Sequence, residues 1–154
     1  TGRDPVWLTP LEPRAAAAMD RAWNGLGTET AGEMKVKGRI VTIPRMAGKA
    51  ARFTFHELCE TPHGARDYLA LADRVDTLFV DAIPVMNNAM RNAAKRFILL
   101  VDTLYDRRLR LVASAAAEPD DLCAITTGTE RFEFARTASR LIEMQSAGWP
   151  APRD

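Results

Sequence analysis

Apolar positions along this chain follow two rhythms, and the stretch where they alternate most clearly organises the rest. Leu78-Phe79-Val80-Asp81-Ala82-Ile83 and Leu109-Arg110-Leu111-Val112-Ala113-Ser114-Ala115 are short, nearly continuous apolar runs with β-branched residues, the pattern of buried strands. Between them Met90, Ala93, Ala94, Phe97, Val101, Leu104 and Tyr105 recur every three or four residues. That spacing places them on one helix face, while Arg91, Asn92, Lys95, Arg96, Asp102 and Arg108 form a solvated one. The pattern predicts a strand, a helix from about Asn88 to Arg107, and a second strand parallel to the first.

The flanking segments extend this unit. Val6-Trp7-Leu8 reads as an edge strand, and Thr9-Pro10-Leu11-Glu12 as a capping box opening a helix at Pro10 that stops at Gly25. Its alanine run, Ala15 to Ala18, reads as helix propensity and close packing. Alternation from Met34 to Pro44 around Gly38 predicts a peripheral β-hairpin, and a short strand over Ala50 to Phe53 follows. Thr54-Phe55-His56-Glu57 is a second capping box. A helix from Gly64 to Arg74 is expected to turn Tyr68, Leu69, Ala72 and Val75 inward. Phe132 to Ser146 reads as the last helix, after a polar loop around Gly128, with Trp149 to Pro152 as tail. The fold class is α/β: a parallel sheet with crossover helices and a peripheral hairpin.

Length changes the picture little. A chain of 154 residues is expected to form a single domain, with a helix and hairpin region over 1–53 and the α/β part and C-terminal helix over 54–150. A net charge of +1 gives no reason to expect nucleic acid or an anionic membrane as partner. Two cysteines, Cys59 and Cys123, are too few for a disulfide framework and suit a reducing compartment. The start at Thr1, without a leader, is expected to mark a piece of something longer.

Candidate chemistry gathers at the carboxyl edge of the two central strands, where ligands bind in open α/β sheets. Asp81 and Ser114 lie there, on neighbouring strands. P-loop ATPases use an acid so placed to hold magnesium and a polar neighbour to sense the γ-phosphate. The competing expectation is a buried Asp81 bonded to a nearby loop. No Gly-x-x-x-x-Gly-Lys-Ser/Thr phosphate loop occurs: Gly48-Lys49 precedes Ala50, and Ile43 stands where the first glycine belongs. His56, Cys59, His63 and Cys123 match no common zinc spacing, so no metal site is assigned. Arg136 and Arg140 share a helix face, with Glu133 and Glu143 at local ion-pair spacing.

Longer motifs carry a family resemblance. Phe53-Thr54-Phe55-His56-Glu57-Leu58-Cys59, Pro62-His63-Gly64-Ala65-Arg66-Asp67-Tyr68, Ile83-Pro84-Val85-Met86, Arg96-Phe97-Ile98, Leu104-Tyr105-Asp106, Leu111 to Ala115 and Phe134 to Ser146 resemble the ZapE-like (AFG-type) P-loop ATPases. The resemblance runs from about Val6 to Trp149 and implies the C-terminal half of such an enzyme, a P-loop NTPase-like half lacking the P-loop. It implies ATP and Mg2+ in the intact protein, with none bound by this chain alone. The implied partners are the N-terminal P-loop half, a protein client in cell division or quality control, and further copies of the protein. The implied location is the bacterial cytoplasm, with peripheral attachment to the inner membrane left open. It also singles out Arg136 and Arg140 as candidates for an arginine finger or nucleotide sensor. Ala82, Asn92-Ala93 and Cys123 depart from the family pattern, and Ala82 bears on any role of Asp81 in holding magnesium or activating water. The rival expectation is a non-catalytic docking or oligomerisation module with a degenerate ATPase-like fold.

Overall fold

The computed structural model describes residues 6–150; Ala151 and Pro152 of the expected tail lie outside it. In chain order the elements are β1 (Trp7–Leu8), α1 (Pro13–Asn24), β2 (Thr30–Val36), β3 (Arg39–Ala47), β4 (Ala50–Thr54), α2 (Phe55–Cys59), α3 (Ala65–Arg74), β5 (Thr77–Ile83), α4 (Arg91–Asp106), β6 (Arg110–Ala115) and α5 (Thr129–Glu143). The six strands form one mixed sheet in the order β1-β6-β5-β4-β3-β2. The expected pair, β5 and β6, is parallel, with Leu78 opposite Leu111 and Val80 opposite Ala113. β4 joins β5 in parallel and β1 joins β6 in parallel. The hairpin extends this sheet as an antiparallel edge, β3 bonding to β4 and β2 to β3. Lys37 and Gly38 both take positive φ, 44° and 82°, which matches the twist of a two-residue hairpin turn.

Side-chain alternation splits the core across the sheet. Phe79 and Val112 face α1 and pack with Met19, Trp23, Ala47 and Ala50. Leu78, Val80, Leu111 and Ala113 face the other way, into a larger core shared with α2 to α5. There Phe97 of α4 packs between Phe55 and Phe134, at ring-centroid separations of 5.9 and 6.0 Å. Trp23 meets Phe79 edge-on at 5.1 Å on the α1 side.

Four local expectations need correction. Helix α1 begins at Pro13, not Pro10, because the residue before a proline is pushed out of the helical region; Glu12 is extended at φ −143° and ψ 168°. Leu69 is exposed, and Leu71 is buried in its place with Tyr68, Ala72 and Val75, the i, i+3, i+4, i+7 stripe that one helix face allows. Helix α5 starts at Thr129, three residues before Phe132, since its N-cap Gly128 reaches φ 83°. Arg91 and Arg96 are tied down instead of freely solvated: Arg91 donates to Thr127 O and Arg96 to Cys59 O. The Thr54–Glu57 capping box forms, each side chain accepting from the other residue's backbone N–H.

Candidate functional site

Asp81 and Ser114 come together at the carboxyl edge, and both are engaged. Asp81 accepts two hydrogen bonds from Arg52 on β4, from Nε at 2.7 Å and Nη2 at 2.9 Å. Arg52 is 5% exposed and forms a second ion pair, 2.9 Å long, with Asp20 of α1. Its Nη1 is buried without a partner. Burial works to lower the Arg52 pKa, but Asp81 and then Asp20 outweigh it and the net shift is upward. Ser114 Oγ accepts from Ala82 N–H at 2.9 Å. That bond holds a bulge: the register slips between Val80 and Ile83, and Ala82 sits at φ 62°. A cavity of about 400 Å³ opens beside them, lined by Leu11, Glu12, Pro13, Asp81, Ala82 and Ser114 among others.

Arg136 and Arg140 converge on a different acid from the one their spacing predicts. Both reach across to Asp102 of α4, Arg136 Nη2 at 3.3 Å and Arg140 Nη1 through a closer bond to Oδ1. The i,i+3 pairing with Glu133 and Glu143 gives way because Phe134 stacking on Phe97 lays α5 along α4 and brings Asp102 between the arginines. Glu143 instead accepts from the Tyr105 hydroxyl at 2.8 Å, the leading cause of an upward shift in that phenol's pKa. Arg140 also lies over the Tyr105 ring, 4.8 Å from its centroid. The side chain of Arg140 is 25% exposed, while that of Arg136 is 57% exposed.

The two candidate pairs are therefore separate. Asp81 shares the face of β5 that Phe79 turns toward α1, whereas α5 lies over α4 on the other side of the sheet. Three partners escaped the sequence reading: Arg52, Asp20 and Asp102. A charge inside the apolar strand Ala50–Thr54 was the available signal for Arg52. Nothing in local spacing pointed Asp102 toward α5. A further cluster closes the start of α5, where buried Glu130 meets Arg91 at 3.3 Å and Lys95 at 3.4 Å. Hydrogen bonding from its own backbone N–H lowers the Glu130 pKa; burial opposes this, and Lys95 and Arg91 add to the lowering.

The cysteine and histidines do not assemble. Cys59 is buried and its thiol is pushed up to about 12 by that burial, while His56 is exposed beside Glu60. Among the described residues no three His, Cys, Asp or Glu side chains gather as a metal set, and no helix is long and apolar enough to cross a membrane.

Comparison with known proteins adds what geometry cannot. The model of a family described as AFG1-like ATPase matches residues 2–151. Cell division protein ZapE of Escherichia coli K12 is 34% identical, covering 92% of this chain and 38% of that protein. Lactation elevated protein 1 homolog B of Danio rerio is 34% identical, covering 73% of this chain and 28% of that protein. The chain thus spans well under half the length of these curated relatives. No solved structure matches it.

Proposed function

The chain belongs to the AFG1-like ATPase family, and from that premise we propose that it forms the C-terminal half of an ATP-hydrolysing enzyme that acts on a protein partner. The phosphate loop belongs to the N-terminal half in this reading, because residues 1–154 hold no Gly-x-x-x-x-Gly-Lys-Ser/Thr sequence. This half supplies an arginine and a packed platform that holds it. The similarity to a cell division protein supports a protein client in division, and the reading adds a bacterial cytoplasmic setting and several copies working together.

The observation that carries the reading is the inequality of the two arginines on α5. Arg140 is locked between Asp102 and the Tyr105 ring, which suits a strut. Arg136 is mostly exposed and holds Asp102 at 3.3 Å, so it can leave for a phosphate at small cost. An arginine finger delivered to the transferring phosphoryl group is worth roughly a thousandfold or more in rate. Arg136 is the finger in this account, and Arg140 positions it by fixing Asp102.

Asp81 and Ser114 were the expected nucleotide contacts, and their surroundings do not fit a magnesium ion. Magnesium takes open oxygen donors in an octahedral shell. Both Asp81 oxygens face Arg52, and Ser114 Oγ receives the Ala82 N–H. The reading therefore derives no step through a metal at this edge. The two residues instead shape the sheet's end beside α1.

The test compares Mg-ATP hydrolysis by the chain alone with hydrolysis by the complete protein carrying a P-loop half. The account expects background turnover from the first and activity, reduced by Arg136→Ala, in the second. Turnover by the isolated chain that disappears in Asp81→Asn contradicts it. Full hydrolysis by the P-loop half without this chain favours the alternative, a docking or oligomerisation module.

A further inference from the structure

An open groove of about 670 Å³ runs along the start of α5. It is lined by Gly128, Arg131, Phe132, Ala135 and Arg136. Phe132 is 86% exposed, on a helix whose other phenylalanine, Phe134, is buried against Phe97. A single exposed apolar residue needs no explanation, but this one stands inside a concave surface between two arginines. Gly128 and Ala135 are its small lining residues. The only charged side chains of the lining are cationic. The Arg131 side chain makes no ion pair among the described residues, and Arg136 shares the Asp102 carboxylate with Arg140. Of the nearby acids, Glu130 is turned inward and held by Arg91 and Lys95, and half-buried Glu133 lies outside the lining. The positive end of the helix dipole adds to this field.

We infer that this groove is a docking site for an acidic peptide segment of a protein partner, anchored by one large apolar side chain. Phe132 and the small lining residues receive the anchor, and Arg131 with Arg136 receives flanking carboxylates. Aromatic and arginine side chains are the types that carry binding energy in interfaces, and an excess of unpaired cation selects the sign of the partner. The docking needs neither nucleotide nor hydrolysis, and its test substitutes Phe132 and Arg131, so its failure is distinguishable from failure of the finger role of Arg136.

The test uses the 154-residue chain and a short fluorescein-labelled peptide alternating Glu with Leu around a central Trp, read by anisotropy at low salt. The same peptide with Lys in place of every Glu is the control. A dissociation constant on the order of 10–100 μM is expected, the range of a small transient contact. Phe132→Ser and Arg131→Glu should each weaken binding at least about tenfold, while circular dichroism and melting temperature stay unchanged because both side chains are exposed. Added salt should weaken it as well. Absence of binding, equal binding of the Lys peptide, or binding indifferent to both substitutions overturns the proposal. So does concentration-dependent self-association of the chain that Phe132→Ser abolishes, since a second copy would then be the occupant.

Discussion

Two charged junctions tie helices into this fold, α1 to the sheet and α5 to α4, and their charge arithmetic is opposite. Beside α1 a single arginine, Arg52, serves two carboxylates, Asp20 and Asp81. Between α4 and α5 a single carboxylate, Asp102, serves two arginines, Arg136 and Arg140. The first junction neutralises the acid that sits where an ATPase acid would. The second leaves positive charge under-neutralised on the surface. In the proposed account the reactive group of this chain is therefore an arginine, and the position of a charged residue in a familiar place says less than the number of partners it must share.

The largest effect should come from breaking the first junction. Arg52→Ala leaves Asp81 without its buried partner and should cost about 3–5 kcal/mol, measured by urea unfolding. Asp20→Asn, whose side chain is 58% exposed, should cost less than about 1 kcal/mol. Equal costs for the two would erase the distinction between a buried anchor and its outer partner.

Two substitutions of intermediate size probe the second junction and the start of the same helix, α5. Arg140→Ala removes a charged hydrogen bond and the contact with Tyr105, for an expected loss of about 1–2 kcal/mol. Gly128→Ala should cost a similar amount, about 1–3 kcal/mol: φ is 83° there, and a Cβ would crowd Arg91 Nη1 and lie 2.8 Å from Glu130 Oε2. A smooth thermal shift in Arg140→Ala without loss of α5 helicity would sharpen the view of that residue as a strut.

The smallest effect is acid sensitivity. Burial acts to raise the Asp67 pKa, but Arg39, the Gly64 N–H and His63 outweigh it and the net shift is downward. Its folded pKa lies below the unfolded value of about 3.9, so its contribution is present above that pH and is lost as pH falls through the folded value. Melting temperature should therefore decline on acidification below about pH 4, and Asp67→Asn should flatten that decline. The residue ties α3 to the hairpin through Arg39 at 2.7 Å, which is the bond such a titration follows.

Sequence periodicity located the β5–α4–β6 unit because burial on both sides of a strand and on one face of a helix writes itself into local spacing. The Gly38 turn and the Thr54 capping box were legible for the same reason, each being a short-range requirement on named residues. Long-range charge pairing was not. Arg52 reaches Asp81 across 29 positions and Arg140 reaches Asp102 across 38, and no window of sequence contains both ends. Local spacing offered Glu133 and Glu143 instead, and packing of α5 on α4 overrode it. The bulge at Ala82 was hidden too, since an alanine at positive φ carries no signal of its own.

The central claim is that Arg136 acts on phosphate while Arg140 holds the platform. The direct measurement is steady-state ATP hydrolysis by the complete protein with Arg136→Ala and with Arg140→Ala, each paired with its melting temperature and nucleotide affinity. The account predicts that Arg136→Ala keeps melting temperature and affinity while turnover falls by on the order of a thousandfold. For Arg140→Ala it predicts a lowered melting temperature and a smaller loss of turnover. Normal hydrolysis by Arg136→Ala contradicts it.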